Sequence, residues 1–342
     1  MGVVERIWYG DGLRDRVARG VLSPASWLYA GATSVRNALY DHGLLPTHVP
    51  SVPALSLGNL SVGGTGKTPV AAWAAAELRR RGGRPAIVLR GYGGADEQLV
   101  HERLNPGIGV VCNPDRRAGA VEAVRRGADC VVLDDAFQHR RIARVADWVL
   151  VAAEQWRPDA ARLPAGPLRE GAGALARATL VIVTRKSASL DRAEELASQL
   201  RAHIPHGASA LLHLAPRELV DAVSGAAVPV GQAAGQRYVA VAAIGAPRAF
   251  FDQLRRLGAV IEEAAFRDHH PFTVEDVHDL QRRAAGQDGV ICTLKDAVKL
   301  GPLWRGARMP LWYVSQAVAV DRGGPQLDAS LAAVLAARLH PL

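Results

Sequence analysis

Hydrophobic residues in this chain fall into short, nearly unbroken runs that alternate with segments of helical periodicity. Such runs are typical of strands covered on both faces of a parallel sheet. The pattern predicts strands at 53–57, 86–89, 109–112, 130–133, 148–152 and 180–183, and helices at 68–78, 114–126 and 190–204. We therefore expect an α/β fold whose ligands bind at the carboxyl ends of the strands.

The alternation pauses near residues 205–208 and then starts again. The second part predicts strands at 211–214, 238–243, 290–294 and 311–314, and helices at 247–257 and 274–285. A chain of 342 residues is long enough for two domains. We predict N-terminal amphipathic helices over 1–50, a first α/β domain over 51–207 and a second, smaller α/β domain over 208–342, with a cleft between the domains.

The first 40 residues concentrate Trp and Tyr around an apolar stripe. Ser23-Pro24 predicts a helix start. Four apolar residues follow it at helical spacing: Leu28, Ala32, Val35 and Leu39. With the arginines nearby, this segment is similar to a helix lying in a membrane interface. A helix packed on the core explains the stripe equally well, because the charge bias of the segment is weak.

The amino-acid composition limits the kinds of ligand or binding partner that we expect. Basic residues number 41 against 33 acidic ones, and the net charge of +8 favours a nucleotide, a phosphorylated substrate or an acidic membrane surface. Nucleic acid is not expected, because the arginines are scattered and form no reading module. The chain has no apolar run of membrane-spanning length, and acidic residues come too early for a signal peptide. We expect a cytoplasmic protein.

Cysteine usage also indicates a reducing compartment. The three cysteines, Cys112, Cys130 and Cys292, are odd in number, far apart and without a C-x-x-C pair, which argues against structural zinc. We expect all of them to be ordinary buried thiols.

The segment LSVGGTGKTPV, residues 60–70, lies between a predicted strand and a predicted helix. Its glycines allow backbone N–H groups to surround a phosphate, Lys67 can reach the outer phosphates, and Thr68 can ligate magnesium. The usual P-loop template has glycine where this chain has Ser61, and a plain glycine-rich turn is the alternative. The predicted nucleotide-binding residues are Ser61, Val62, Gly63, Gly64, Thr65, Gly66, Lys67 and Thr68.

A pair of acids follows the predicted strand at 130–133, in CVVLDDAFQH. A P-loop protein needs an acid at the end of a buried strand to hold magnesium directly or through water. Adjacent carboxylates repel each other unless a cation lies beside them. We predict that Thr68, Asp134 and Asp135 are the magnesium ligands; a solvated pair of turn acids is the alternative.

Two further segments contain acidic residues and histidines that could act in acid–base catalysis. LRGYGGADEQ follows the strand at 86–89 as a loop would, and FRDHHPF lies in the predicted second domain. A carboxylate beside a γ-phosphate can accept the proton of an attacking hydroxyl, and a histidine can orient or charge-balance that carboxylate. Surface acids at Asp96 and Glu97 and a turn at His269-His270 explain these segments as well.

Together these motifs resemble one family, the tetraacyldisaccharide 4'-kinases, which phosphorylate the lipid A disaccharide precursor. The matching segments keep the family's order and reach residue 300, so the resemblance covers most of the chain. They are GNLSVGGTGKTP (58–69), RGYGG (90–94), DE (96–97), LDDAFQHRR (133–141), LPAGPLRE (163–170), DHHPF (268–272) and KDAVKL (295–300). The serine at position 61 is itself family-like.

The resemblance implies ATP and Mg²⁺ as cofactors and a two-domain P-loop fold. It implies transfer of the γ-phosphate to the 4'-hydroxyl of tetraacyldisaccharide 1-phosphate, by a protein attached peripherally through its N-terminal region to the cytoplasmic face of the inner membrane. The family's catalytic carboxylate corresponds to Asp96 and its partner histidine to His269, which would act with Lys67. We expect His269 to reach Asp96 across the cleft, and Glu97 to be the alternative base.

The sequence differs from the family's pattern at two places, and two other functions are alternatives to the kinase interpretation. RGYGG runs almost directly into Asp96, where the family has a longer stretch, and Leu294 stands before Lys295 where the family often has Glu. One rival is a membrane-associated P-loop ATPase switch, but its signature lysine would fall at Val62. The other is a P-loop kinase acting on another small hydroxylated acceptor.

Overall fold

A computed structural model describes residues 3–91, 96–204 and 208–338 of the chain. The chain divides into two compact units. Of the described residues, the larger unit comprises 3–91, 104–204, 208–214 and 318–338, and the smaller unit comprises 96–103 and 215–317. The unit boundaries fall within two long strands, Ser209–Asp221 and Leu311–Arg322.

Helices and strands alternate along the described residues. The helices are α1 Val3–Tyr9, α2 Leu13–Asp41, α3 Lys67–Arg80, α4 Asp96–Leu104, α5 Arg116–Arg125, α6 Leu190–Leu200, α7 Pro247–Arg256, α8 Val274–Arg283, α9 Leu294–Leu303 and α10 Gly324–Ala336. The strands are β1 Ala54–Asn59, β2 Pro85–Leu89, β3 Gly109–Cys112, β4 Cys130–Leu133, β5 Ala146–Ala152, β6 Leu180–Arg185, β7 Ser209–Asp221, β8 Ala227–Pro229, β9 Arg237–Ala242, β10 Val260–Ala265, β11 Gly289–Cys292 and β12 Leu311–Arg322. These elements confirm the predicted α/β class with helices at the N-terminus.

The larger unit is built on a parallel sheet with the strand order β7-β6-β5-β1-β4-β2-β3. Its central strands β1, β2 and β4 are entirely buried, as their unbroken apolar sequences predict. β1 pairs with β4 in the register Ser56↔Leu133, so the segments that follow these two strands start at the same edge of the sheet. The predicted phosphate loop and the acid pair are those two segments.

Helix α3 covers this sheet with an alanine-rich face that includes the fully buried Val70 and Leu78. Small side chains let the helix approach the sheet closely. Trp148 on β5 is also fully buried, and its indole N–H donates to the Ser330 hydroxyl on α10 at 2.8 Å. Burying a Leu or Val side chain completely stabilises a fold by about 1.5–3 kcal/mol, so this packing fixes α3 and the loop before it.

The smaller unit has its own parallel strand order, β10-β9-β11-β12. Apolar clusters cover both faces of these strands. One contains Val239, Val290 and Leu300, and the other contains Ala240, Phe251 and Ile291. Helix α4 belongs to this unit by position, although it follows β2 in the sequence.

The observed units follow the predicted domain boundaries only in part. Residues 96–103 were expected in the first domain but group with the smaller unit, and residues 318–338 were expected in the second but group with the larger one. The cause of the second difference is helix α10, whose Leu327 and Leu331 share a core cluster with Leu78 of α3. The division into 1–50, 51–207 and 208–342 stays a prediction.

Several local predictions were wrong. Helix α2 does not start at Ser23-Pro24 but runs through Pro24 from Leu13. Proline at that position removes one backbone hydrogen bond. The Ser23 hydroxyl donates to the Arg19 carbonyl at 2.8 Å in the same turn, and Gly20 lies four residues before the ring. The helix therefore continues through the proline.

The segment after β2 was expected as a loop and contains α4, whose first turn holds Asp96 and Glu97. Carboxylates there interact favourably with the helix dipole. Strand β10 was missed because Glu262 and Glu263 interrupt its apolar pattern, and they are exposed on an edge strand of the smaller unit. Cys112 is exposed, so only Cys130 and Cys292 are the buried thiols that the sequence predicted.

Candidate active site

The predicted phosphate loop connects the end of β1 to the start of α3 at Lys67. Gly63 and Gly66 have φ values of 128° and 85°, in the region that favours glycine. A Cβ atom on Gly66 would lie 2.1 Å from Leu214 Cδ1, so both backbone angle and space require glycine here. The sequence pattern and the backbone geometry of the loop thus agree.

Side chains outside the phosphate loop form hydrogen bonds to it. The Asn59 amide donates to the Ser61 carbonyl at 2.5 Å and to the Thr65 hydroxyl at 3.1 Å, while the Thr184 hydroxyl donates to the Thr65 carbonyl at 2.9 Å. Lys186 Nζ donates to the Gly64 carbonyl at 2.8 Å. The loop is therefore braced from β1, from β6 and from the residue that follows β6.

Two of the predicted phosphate-binding residues use their backbone N–H groups within the protein. Val62 N–H donates to the Pro167 carbonyl at 2.8 Å, and Thr65 N–H donates to the Gly63 carbonyl at 3.0 Å. Thr65 is also buried, so its side chain positions the loop. The N–H groups of Gly66, Lys67 and Thr68 lie at the start of α3, where a helix attracts anions.

The acid pair Asp134-Asp135 follows β4 directly. Asp134 is buried, and its carboxylate accepts the Asp135 N–H at 2.8 Å. Asp135 has a φ of 49° and accepts from Arg169 Nη1 at 2.8 Å, with Lys67 Nζ at 3.5 Å from the same oxygen. Burial opposes ionisation, but these two cations outweigh it and lower the pKa of Asp135. Asp135 therefore lies beside the loop lysine as an ionised carboxylate.

The arrangement fits a magnesium ion held with the help of phosphate oxygens. In the described part of the chain no group of three or more His, Cys, Asp and Glu side chains could hold a metal alone. Of the predicted ligands, Thr68 supplies a hydroxyl oxygen and Asp134 carboxylate oxygens, and hard oxygen donors suit Mg²⁺, which keeps several waters. Asp135 is already engaged by Lys67 and Arg169, so its predicted metal role requires an exchange of partners.

The second candidate pair lies within the smaller unit. His269 Nδ1 is 3.2 Å from Asp96 Oδ2. His269 has a φ of 57°, a conformation that non-glycine residues rarely adopt, and its N–H donates to the Ala243 carbonyl at 3.2 Å. The expectation that His269 reaches Asp96 across a cleft was wrong, because α4 groups with the unit that carries His269.

The neighbouring residues of these motifs have different surroundings. His270 Nε2 is 2.9 Å from Asp276 Oδ2, and its ring packs on Phe266 and Phe272, so His270 is a structural residue. It is Asp96, and not Glu97, that contacts His269 among the described residues. Residues 92–95, which include most of the RGYGG motif, lie outside the described residues.

Two cations at these sites were missed from the sequence as individual residues. Arg169 contacts Asp135, and Lys299 Nζ lies 3.3 Å from Asp96 Oδ2. Both residues stand inside motifs that the sequence had singled out, LPAGPLRE and KDAVKL. The motifs were a usable signal, but the contacts join segments that are distant in the sequence.

Comparison with known proteins gives a consistent result. A family described as "Tetraacyldisaccharide-1-P 4'-kinase" matches residues 18–336. A tetraacyldisaccharide 4'-kinase of Anaeromyxobacter sp. (strain Fw109-5) is 38% identical over 98% of this chain and 97% of its own length. The corresponding protein of Halorhodospira halophila (strain DSM 244 / SL1) is 35% identical over 98% of both chains. The crystal structure of the "apo" form of LpxK from Aquifex aeolicus in complex with ATP is similar with a TM-score of 0.74 and 26% identity, over 93% of this chain and 99% of that one.

Proposed function

The chain belongs to the tetraacyldisaccharide-1-P 4'-kinase family, and from that premise we propose how its residues carry out the transfer. The resemblance seen in the motifs is confirmed. The protein is an ATP-dependent phosphotransferase of lipid A biosynthesis that transfers the γ-phosphate to the 4'-hydroxyl of tetraacyldisaccharide 1-phosphate. Neither rival function is favoured, because the family match spans the phosphate loop and the DHHPF segment together.

On the nucleotide side, Lys67 and the first N–H groups of α3 bind the phosphates of ATP. Lys67 and Arg169 lie around Asp135, so two positive charges are available to the oxygens of the transferred group. Thr68 and Asp134 would hold Mg²⁺, which when bound would neutralise charge on the phosphates. In this arrangement Asp135 fixes the two cations in place until the phosphates compete for them.

On the acceptor side, Asp96 accepts the proton of the 4'-hydroxyl as the hydroxyl oxygen bonds to the γ-phosphorus. The bond from that phosphorus to the β–γ bridging oxygen breaks, and ADP leaves with the electron pair. His269 Nδ1 lies 3.2 Å from Asp96 Oδ2 and orients the carboxylate. This contact is the single observation that carries the proposal beyond nucleotide binding.

The activity is tested by incubating the purified protein with radiolabelled ATP and tetraacyldisaccharide 1-phosphate. We expect a labelled bisphosphorylated disaccharide, and no product from an analogue in which the 4'-hydroxyl is replaced by hydrogen. Release of labelled phosphate at the same rate with and without the acceptor would instead identify an ATPase. Transfer to the 4'-deoxy analogue would show that another hydroxyl is the acceptor.

Helix α2 supports the proposed attachment to the cytoplasmic face of the inner membrane. No helix in residues 3–91, 96–204 or 208–338 is long and apolar enough to cross a membrane. Yet α2 exposes large apolar side chains, with Leu28 at 77% and Val35 at 62% exposure. Residues at spacings of four or seven lie near one face of a helix. The exposed apolar stripe consists of Leu13, Val17, Val21, Leu28 and Val35, with Trp27 beside it.

The opposite side of α2 contacts the rest of the larger unit through polar groups. The Ser26 hydroxyl donates to the Arg162 carbonyl at 2.9 Å, and the Asn37 amide donates to Glu170 at 2.6 Å. A helix packed only on its core would bury its apolar residues. Helix α2 instead exposes its large apolar residues and turns polar residues toward the protein. This arrangement supports an interfacial position in which the stripe lies in the lipid and the polar side lies on the protein.

A further inference from the structure

Two nitrogen atoms that contact Asp96 approach the same oxygen atom. His269 Nδ1 lies 3.2 Å and Lys299 Nζ 3.3 Å from Oδ2. Among the described residues, no ion pair or side-chain hydrogen bond is formed with the other oxygen, Oδ1. An ionised carboxylate has lone pairs on both oxygens, so Oδ1 keeps its capacity to accept a proton.

The ammonium group of Lys299 is held on several sides within the smaller unit. It donates to the His270 carbonyl at 3.1 Å, lies 3.7 Å from Asp296 Oδ1, and sits 5.2 Å from the centre of the Phe272 ring. Only 12% of its side chain is exposed. A lysine loses much rotamer freedom when it is fixed in this way, so the position is specified by its surroundings and not by chance.

Asp296 ties this lysine to the backbone frame of the unit. It is fully buried, and its Oδ2 accepts from the Thr293 hydroxyl at 2.7 Å and from the Ala243 N–H at 3.2 Å. Ala243 also accepts the N–H of His269 with its carbonyl. One short segment thus connects the groups that fix Lys299 to the histidine of the pair.

We propose that Lys299 is a positioning residue of the phosphoryl transfer: with His269 it fixes Oδ2 of Asp96 and leaves Oδ1 to take the proton of the acceptor hydroxyl. This inference rests on the proposed function.

The test is the pH dependence of the single-turnover transfer rate in Lys299→Met, a substitution that keeps most of the side-chain volume. Transfer needs the carboxylate form of the proposed base, so the rate falls on the acidic side of its pH profile. A nearby positive charge favours the carboxylate form, so its removal moves this acidic limb to higher pH. We expect the maximal rate to fall about 10²-fold with little change in the KM for ATP.

Two companion variants separate charge from shape. Lys299→Arg keeps the positive charge, so its acidic limb stays near the wild-type position even where its rate is reduced. Lys295→Met removes a lysine one turn earlier on α9 and leaves both the rate and the profile unchanged. A rate loss in Lys299→Met without a shift of the acidic limb would show that Lys299 is only structural.

A second variant serves as the control for misfolding. It is needed because Lys299→Met leaves the buried Asp296 without its cation. Lys299→Met/Asp296→Asn removes both charges, and its profile must show the same shift. If neither variant folds, as judged by circular dichroism, Lys299 belongs to the fold and the proposal is overturned. Absence of transfer by the wild-type protein would instead refute the proposed function, so the two failures are distinguishable.

Discussion

His269 Nδ1 lies 3.2 Å from Asp96 Oδ2, although 173 residues separate the two in the sequence. The contact joins the first residue of α4 to a residue held in a left-handed backbone conformation after β10. Strained residues of this kind cluster at functional sites and persist only where their surroundings fix them. The two residues of the proposed acid–base pair therefore lie within one compact unit.

The loop lysine gives the first prediction. Lys67→Ala should reduce the transfer rate to less than about a tenth of wild type, because loss of a charge that stabilises the transition state costs at least about 2 kcal/mol. The thermal midpoint should change little, since Lys67 contributes no apolar packing to a core cluster. Initial rates with labelled ATP and circular dichroism melting measure both quantities. A variant that keeps most of its activity would remove Lys67 from the site.

Membrane binding through the exposed apolar stripe of α2 gives the second prediction. Leu28→Glu together with Val35→Glu should release the protein from anionic vesicles in a sedimentation assay, because charged groups oppose burial of the stripe in the interface. Nucleotide affinity should be unchanged. The control is Val121→Glu, which charges an exposed valine on α5, and that variant should sediment like wild type. Equal sedimentation of all three proteins would exclude the stripe as the attachment surface.

Thiol reactivity gives the third prediction. Burial raises the pKa of Cys130 to about 12 and the pKa of Cys292 well above its usual value, so both remain protonated near pH 8. The thiolate is the reactive form, and Cys112 is exposed. Iodoacetamide should therefore label native protein at Cys112 alone, as read by peptide mass spectrometry. Labelling of Cys130 at the rate of Cys112 would contradict the buried position of β4.

Much of the phosphate site could be predicted because its parts are local. A glycine loop that follows a buried strand and an acid pair that follows its neighbour must start at one edge of a parallel sheet, and the register Ser56↔Leu133 places them so. Residue types and spacing carry that information. The partners of Asp135 are different, because Arg169 comes from a loop without regular periodicity.

The acceptor side could be predicted only through the family resemblance, and then incompletely. Asp96, His269 and Lys299 come from three separate segments, and only the packing of α4 and α9 in one unit brings them together. The sequence did not predict α9, because Gly301 and Pro302 are residue types that normally end helices. Without that helix the sequence does not show that Lys299 faces the carboxylate.

The central claim, that Asp96 is the base and His269 its partner, is tested most directly by a double-mutant cycle on the single-turnover transfer rate. Asp96→Ala and His269→Ala should each lower the rate by roughly 10² to 10⁴, with little change in the KM for ATP. Because the two residues act as one unit, the double variant should be little slower than the slower single variant. Asp279→Ala, an exposed acid on α8, is the control and should match wild type. Fully multiplicative losses, or a larger loss in Glu97→Ala than in Asp96→Ala, would contradict the account.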